Sequence, residues 1–342
     1  YTKFKGSFGP LKATGQLVIE YADGTTDLLV TDPQWKLAPG PITFSCVFGG
    51  EDYDARLELA GWSKPGFDDS AWKAALTVPG PGGVLRGYSC AAPPITAHET
   101  LPVRATNRIS SSIAVYDLVQ NASLMPRLRV RGSAGSSVKI IPAELVDAKG
   151  LADRSSCGGG VAYWKYTLAG TGSETWFPRF FYHGARYLQV ECEAPEGAEL
   201  PTVESIEGIV VHAHAEAVGD FECSNELFNR IRRLVRWAQR SNMMSVMTDC
   251  PHREKLGWLE EDHLNGPALR YEFDLSRVFT KILNDMADSQ LADGLVPDIA
   301  PEYVQFNGGF RDSPEWGSAC ILVPWQQYLF NGDVDLLRRY FP

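Results

Sequence analysis

The feature that most constrains this chain is a change of hydrophobic period near residue 222. Ahead of it apolar residues alternate. After it they return every three to four positions. A period of 2 puts side chains on opposite faces of a strand, whereas a period of 3.6 keeps them on one face of a helix. The sequence therefore predicts a β part of about two thirds of the chain, followed by an α part. At 342 residues there is enough chain for two or three domains and a sizeable core.

The β part is densely punctuated. "GQLVIEYADGTTDLLVTD" reads as two alternating strands around Asp23-Gly24, a strong hairpin signal. "ITFSCVF", "DARLEL", "ALTV", "SSIAVYDL", "PRLRVRG", "SSVKIIPAEL", "YWKYTLAG" and "RYLQVECEA" come next, separated by Gly, Pro and Asn. Short strands at this spacing indicate antiparallel sandwiches. The Pro-rich stretch "AAPPITAHETLP" at 91–102 is the expected boundary between two of them. The expected division is an accessory β-sandwich over 1–100, a second sandwich over 101–221, and a helical domain from 222 onward.

In the helical part, Ser224 is a candidate N-cap, and Leu227, Ile231, Leu234 and Ala238 form a helical stripe. Arg230, Arg232, Arg233, Arg236 and Arg240 lie mostly off that stripe and read as a solvated or salt-bridged face. A second helix is expected over about 259–271. A third starts at Ser276, with Val278, Phe279, Ile282, Leu283 and Met286 on one side. A fourth covers about 317–331, with Pro324 as a kink, and a fifth starts near Asp333. Helices joined by loops without strands suit a helical solenoid or toroid.

Composition excludes several functions. The net charge of −10 opposes a phosphate backbone, so no nucleic-acid partner is expected, while neutral polyols fit. No apolar run approaches the length of a membrane span. Seven widely spaced Cys form no CxxC or Cys/His cluster, so neither zinc nor another metal is expected, and buried thiols are. Asn121-Ala-Ser123 matches a glycosylation sequon, a triplet that arises often by chance. Neither end reads as a natural terminus, and any export signal would precede Tyr1. A periplasmic or secreted location is the expectation.

The densest chemistry lies in "TDCPHREKLGWLEED", 248–262. Pro251 disfavours helix at Cys250 and Gly257 is expected to loosen the residues after it, so this is a loop between helices, a common carrier of functional groups. It gathers Asp249, Glu254, Glu260, Glu261 and Asp262 with Arg253 and Trp258. Carboxylates accept bonds from sugar hydroxyls, and an indole stacks on the apolar face of a ring. A carboxylic acid with a raised pKa can protonate a glycosidic oxygen. Glu260, Glu261 and Asp262 are also explained by the dipole of a helix start, which leaves Asp249, Arg253 and Trp258 unexplained. Metal ligation by His252, His263, Asp249 and Cys250 matches no established spacing. Cys250 and His252 are poorly placed for a nucleophile pair. A second aromatic and acidic group occupies the long loop 294–316, with Asp298, Glu302, Tyr303, Phe306, Arg311, Asp312, Glu315 and Trp316.

These pieces, in this order, resemble the bacterial α-L-rhamnosidases of glycoside hydrolase family 78. "GGEDYDARLELAGWSKPGFDDSAWKAA" is similar to the family's accessory β-sandwich. "VYDLVQNASLMPRLRVRGSAGSSVKIIPAELVD" and "YWKYTLAGTGSETWFPRFFYHGARYLQVE" are similar to the sandwich before its catalytic domain. "DCPHREKLGWLEE", "GLVPDIAP" and "WGSACILVPWQQYLFNGD" are similar to its acid loop and barrel helices. The resemblance implies two β-sandwiches followed by the first part of an (α/α)6 toroid. It also implies inverting hydrolysis of terminal α-L-rhamnosides without a cofactor. Carried onto this sequence, Glu254 is the general acid, Asp249 and Arg253 bind sugar hydroxyls, and Trp258 and Trp316 wall the ring. Glu261 stands where the family usually has Asp.

The resemblance places the water-activating Glu on a later barrel helix, expected beyond Pro342, so residues 1–342 alone are expected to be inactive. Gly49 stands where calcium-dependent sugar-binding versions of the accessory sandwich carry an acid. Such a site is not expected here, and Trp62 and Trp72 are expected in the core. Two other readings compete. One is a toroid glycosidase or lyase with different sugar specificity, although a net acidic loop disfavours anionic sugars. The other is a non-catalytic carbohydrate-binding protein.

Overall fold

A computed structural model describes residues 11–341 apart from 81, 85, 88–91, 159 and 303. Cys90, Ala91 and Tyr303 therefore lie outside the described residues. The predicted hairpin forms, pairing Gln16–Glu20 with Thr26–Val30. Gly24 takes φ +83° at its turn, and the Asp23 carboxylate accepts the Thr25 N–H at 3.0 Å. Lys36–Leu37 and Lys73–Ala74 make a second small pair.

Most of the remaining β structure belongs to one ten-stranded sheet. Its order runs Ile42–Cys46, Gly50–Asp54, Tyr163–Thr167, Ser137–Ala143, His183–Glu193, Ile113–Arg131, Thr202–Ala213, Ile95–Pro102. Ala105–Arg108 and Ser173–Trp176 also pair with Ile113–Arg131. That 19-residue strand pairs with His183–Glu193 along its first part and with Thr202–Ala213 along its second. The sheet encloses a core in which Leu124, Leu128, Val130, Ile140, Trp164, Phe181 and Leu188 are fully buried. Trp164 satisfies its indole N–H on the Phe181 carbonyl at 2.9 Å, in the manner usual for a buried indole.

Several expectations change here. "SSIAVYDL" and "PRLRVRG" are parts of one continuous strand. Ala55–Leu57, within "DARLEL", is a 3-10 turn capped by Asp54, and 75–78 is irregular. Thr202–Ala213 and Ser173–Trp176 are strands that the alternation of the sequence does not announce. The Pro-rich stretch, expected as a boundary, also supplies an outer strand, Ile95–Pro102. Its prolines fall just before or at the strand's end, where a missing N–H costs no ladder bond.

The first hundred residues also contribute strands to the sheet. Gly50–Asp54 pairs in parallel with Tyr163–Thr167. Gly50 has φ +131°, and a Cβ there would lie 1.9 Å from the Tyr163 carbonyl oxygen, so only glycine permits this approach. Glu51 beside it is fully buried and accepts the N–H groups of Arg179 and Phe180 at 3.0 and 2.7 Å. Trp62, expected in the core, is exposed, and Trp72 is half-buried against Phe67.

Seven helices come after the sheet among the described residues: α1 Glu226–Asn242, α2 Glu260–Leu264, α3 Gly266–Glu272, α4 Ser276–Ser289, α5 Pro314–Gly317, α6 Ala319–Asn331 and α7 Val334–Tyr340. The cap of α1 is Asn225 rather than Ser224, its side chain accepting the Leu227 N–H at 3.0 Å. The expected second helix is broken at Asn265, with Pro267 in the first turn of α3. In α4 all five predicted apolar residues are buried. Pro324 lies inside α6.

The apolar stripe of α1 is left open among the described residues. Leu227, Phe228, Ile231, Leu234 and Val235 are exposed, whereas Asn229, Gln239 and Ser241 are buried. The packed face carries arginines. Arg232 and Arg236 both pair with Glu272 of α3, Arg240 pairs with Glu99, and the Ser241 hydroxyl accepts the Ser123 N–H. No helix among the described residues is long and apolar enough to cross a membrane.

Candidate active site

The loop 248–259 and the segment 296–300 meet as a short antiparallel pair. Trp258 bridges Ile299, Leu259 N donates to the Asp298 carbonyl at 2.9 Å, and Ala300 N donates to the Gly257 carbonyl at 3.1 Å. Gly257 is required for this closeness, because a Cβ would lie 2.6 Å from the Ala300 oxygen. It thus tightens the loop, contrary to the expected loosening. The loop also closes on itself: Asp249 N donates to the Leu256 carbonyl, and Leu256 N donates to the Asp249 carboxylate at 3.0 Å. Leu256 and Ile299 are buried with Cys46 and Phe48, so the accessory part of the chain packs directly under the loop.

These contacts frame a cavity of about 430 Å³ lined by Asp249, Trp258, Glu260, Glu261, Asp298, Gly309, Phe310, Ser313 and Trp316. Trp258 and Trp316 meet edge to face at 6.0 Å, and Phe306 backs Trp258 at 5.4 Å. Among the described residues, no basic side chain lines the cavity. Burial raises the pKa of Asp249, and neighbouring Glu254 adds to it. Burial raises Glu261, with Asp249 and Glu260 contributing. Burial raises Asp298 as well, against the Ser313 N–H that it accepts at 2.9 Å. Crowded, partly desolvated carboxyls of this kind hold protons more tightly than free ones.

Of the residues singled out in the sequence, Asp249, Trp258, Glu260, Glu261, Asp298 and Trp316 converge on the cavity. Glu254 does not line it. Its carboxylate accepts the Trp258 indole N–H at 3.2 Å, which leaves it one side chain away, and it is 29% exposed rather than enclosed. Arg253 is 54% exposed, beside Glu254 at 3.7 Å, and does not enter the cavity. Glu302 and Arg311 pair with each other at 2.6 Å and brace the second loop. Glu260, which the helix dipole alone would explain, is also a lining residue. So are Phe310 and Ser313, and no signal in the sequence separates them from ordinary loop residues.

His252 lies 3.6 Å from Glu144, and Cys157 completes a group whose ligand atoms fall within 4.8 Å. The Nδ1 of His252 accepts the Arg253 N–H at 2.8 Å. The neutral ring therefore carries its proton on Nε2, facing Glu144. Glu144 also accepts from Asn121 at 2.9 Å. Glu144 is thus hydrogen-bonded to Asn121, while His252 approaches it without a hydrogen bond.

Comparison with known proteins fits the geometry. Residues 2–99 match the α-L-rhamnosidase N-terminal domain and residues 107–212 the bacterial α-L-rhamnosidase concanavalin-like domain. Residues 216–342 match the bacterial α-L-rhamnosidase six-hairpin glycosidase domain. The chain belongs to the bacterial α-L-rhamnosidase family. It is 36% identical over 353 residues to the α-L-rhamnosidase of Streptomyces avermitilis, a match covering 98% of this chain and 33% of that one. An α-L-rhamnosidase of Formosa agariphila is 30% identical, with 98% and 36% covered. The S. avermitilis enzyme, solved in complex with L-rhamnose, superposes with a TM-score of 0.87 at 35% identity, covering 96% of this chain and 31% of that one. The enzyme from Dictyoglumus thermophilum gives 0.88 at 35% identity, covering 95% and 36%. This rhamnosidase-family chain thus spans about a third of the length of the relatives it matches.

Proposed function

We propose that the protein acts in the hydrolysis of terminal α-L-rhamnosides with inversion, and that residues 1–342 carry the acid side of its active site. The observation that supports this most directly is the cavity, with aromatic walls from Trp258, Trp316 and Phe310, four carboxylates, and no basic side chain among its described lining residues. Such a site suits a neutral deoxysugar, since carboxylates accept its hydroxyls and indoles meet its apolar face. It disfavours a uronate.

In this mechanism Glu254 protonates the leaving oxygen while held by the Trp258 N–H. Asp249 and Glu261 accept hydroxyls of the ring. Water attacks from the opposite face, activated by a second carboxylate outside this sequence, as inversion requires. The chemistry needs no cofactor.

In the whole enzyme, Glu254→Gln should lower kcat on an unactivated rhamnoside by about 10²–10⁴-fold with little change in binding. Trp258→Ala should mainly weaken binding. Retained turnover by Glu254→Gln would remove Glu254 as the acid. Asp249 is the second candidate donor, because it lines the cavity and its pKa is raised. In that case Asp249→Asn, not Glu254→Gln, would abolish turnover.

A further inference from the structure

Lys255 stands directly after the proposed acid and takes φ +52°, a left-handed conformation that glycine adopts far more readily. It is buried, with 3% exposure. Its Nζ donates at 2.6 Å to the Val47 carbonyl, in the accessory part, and at 2.6 Å to the Tyr182 carbonyl, in the large β unit. It also sits 4.5 and 4.3 Å from the Phe181 and Tyr182 ring centres. One side chain from the helical domain thus joins both units that precede it. On the other side of Glu254, Pro251 is pressed against Gly184, whose N–H bonds the Pro251 carbonyl at 2.9 Å.

We propose that Lys255 is a positioning residue for the acid: by anchoring the backbone after Glu254 to Val47 and Tyr182, it fixes where the Glu254 carboxyl stands. The proposal rests on the reading of Glu254 as the proton donor. Burial lowers the Lys255 pKa to about 7. The anchor does not depend on the charge, because a neutral amine still has two N–H bonds for two carbonyls. A buried amine of this kind would be an isolated cost unless the geometry it imposes is used.

The test compares two substrates in the full-length enzyme. An alkyl rhamnoside has a poor leaving group and needs the acid. A dinitrophenyl rhamnoside has a good one and does not. A displaced acid should therefore slow only the first, and a displacement near 1 Å is enough for a large effect. Lys255→Met should lower kcat on the alkyl substrate at least about tenfold more than on the dinitrophenyl one, with KM little changed. Lys255→Arg, which keeps donors on a longer arm, should restore part of that loss.

Equal losses on both substrates, or losses that track only a lowered melting temperature, would overturn the proposal, as would no loss. If Lys255→Met does not fold, Lys255→Arg alone must show the same selectivity in smaller degree, and equal rates would overturn it. Glu254→Gln run in parallel separates the two ideas. If it lacks the leaving-group selectivity, the acid assignment fails. If it has the selectivity and the Lys255 variants do not, only the positioning role fails.

Discussion

Gly257 has room for a hydrogen and little else, and that limits the loop more than any charge in it does. An added methyl would push on the Ala300 oxygen at 2.6 Å and on Val246 at 3.3 Å. Gly257→Ala should cost about 1–3 kcal/mol, read as a lower melting temperature, and should weaken substrate binding by moving Trp258. At this scale the sequence exposes residue types better than their placement. Asp249 and Trp258 are legible because a helix start does not account for them, whereas Glu261 and Trp316 are reached through the family resemblance. Glu260 is hidden behind the helix dipole, which accounts for a first-turn acid equally well. Phe310 and Ser313 reach the cavity only through the path of the 294–316 loop, which no local pattern encodes. Arg253, whose type suits a sugar, stands half-exposed outside the cavity lining.

Periodicity identifies α4 and its buried face, since Val278, Phe279, Ile282, Leu283 and Met286 have only one way to be removed from water. It identifies α1 and its apolar stripe, but not the polar face by which α1 meets Glu99, Ser123 and Glu272, because those partners lie far off in sequence. The strand Thr202–Ala213 escapes notice because Gly208 interrupts its pattern. A Cβ there would meet the Leu118 side chain at 2.7 Å, so glycine is a packing requirement rather than a turn. The arginine face of α1 gives a prediction. Burial would raise the Glu272 carboxyl, but Arg232 and Arg236 outweigh it and hold the pKa below the usual range. Its stabilisation is therefore present above the ordinary carboxylate range and is lost as pH falls through the lowered value. Glu272→Gln should cost about 1–3 kcal/mol near neutrality, and urea midpoints of variant and parent should approach each other in acid.

The whole molecule has the expected order, β then α, but its parts interlock across the expected cuts. A boundary at residue 100 is legible as a cluster of prolines, yet the pairing of Gly50 with Tyr163 is not, since parallel pairing leaves no local mark. Both outermost strands in the sheet order, Ile42–Cys46 and Ile95–Pro102, come from the first 102 residues. A chain started at residue 101 should therefore lose both outer strands, bare the normally paired sides of Tyr163–Thr167 and Thr202–Ala213, and elute from size exclusion with more aggregate than 1–342. The same arrangement sets a schedule for synthesis. Gly50–Asp54 leaves the ribosome more than a hundred residues before Tyr163, and Ile95–Pro102 precedes Thr202–Ala213 by about as much. At 5–20 residues per second, each early strand waits roughly 5–20 s for its late partner. During that interval Gly50–Asp54, although paired with Ile42–Cys46 on one side, and Ile95–Pro102 keep sides open to pairing, so the risk of pairing with a neighbouring chain is set by translation speed as well as by stability.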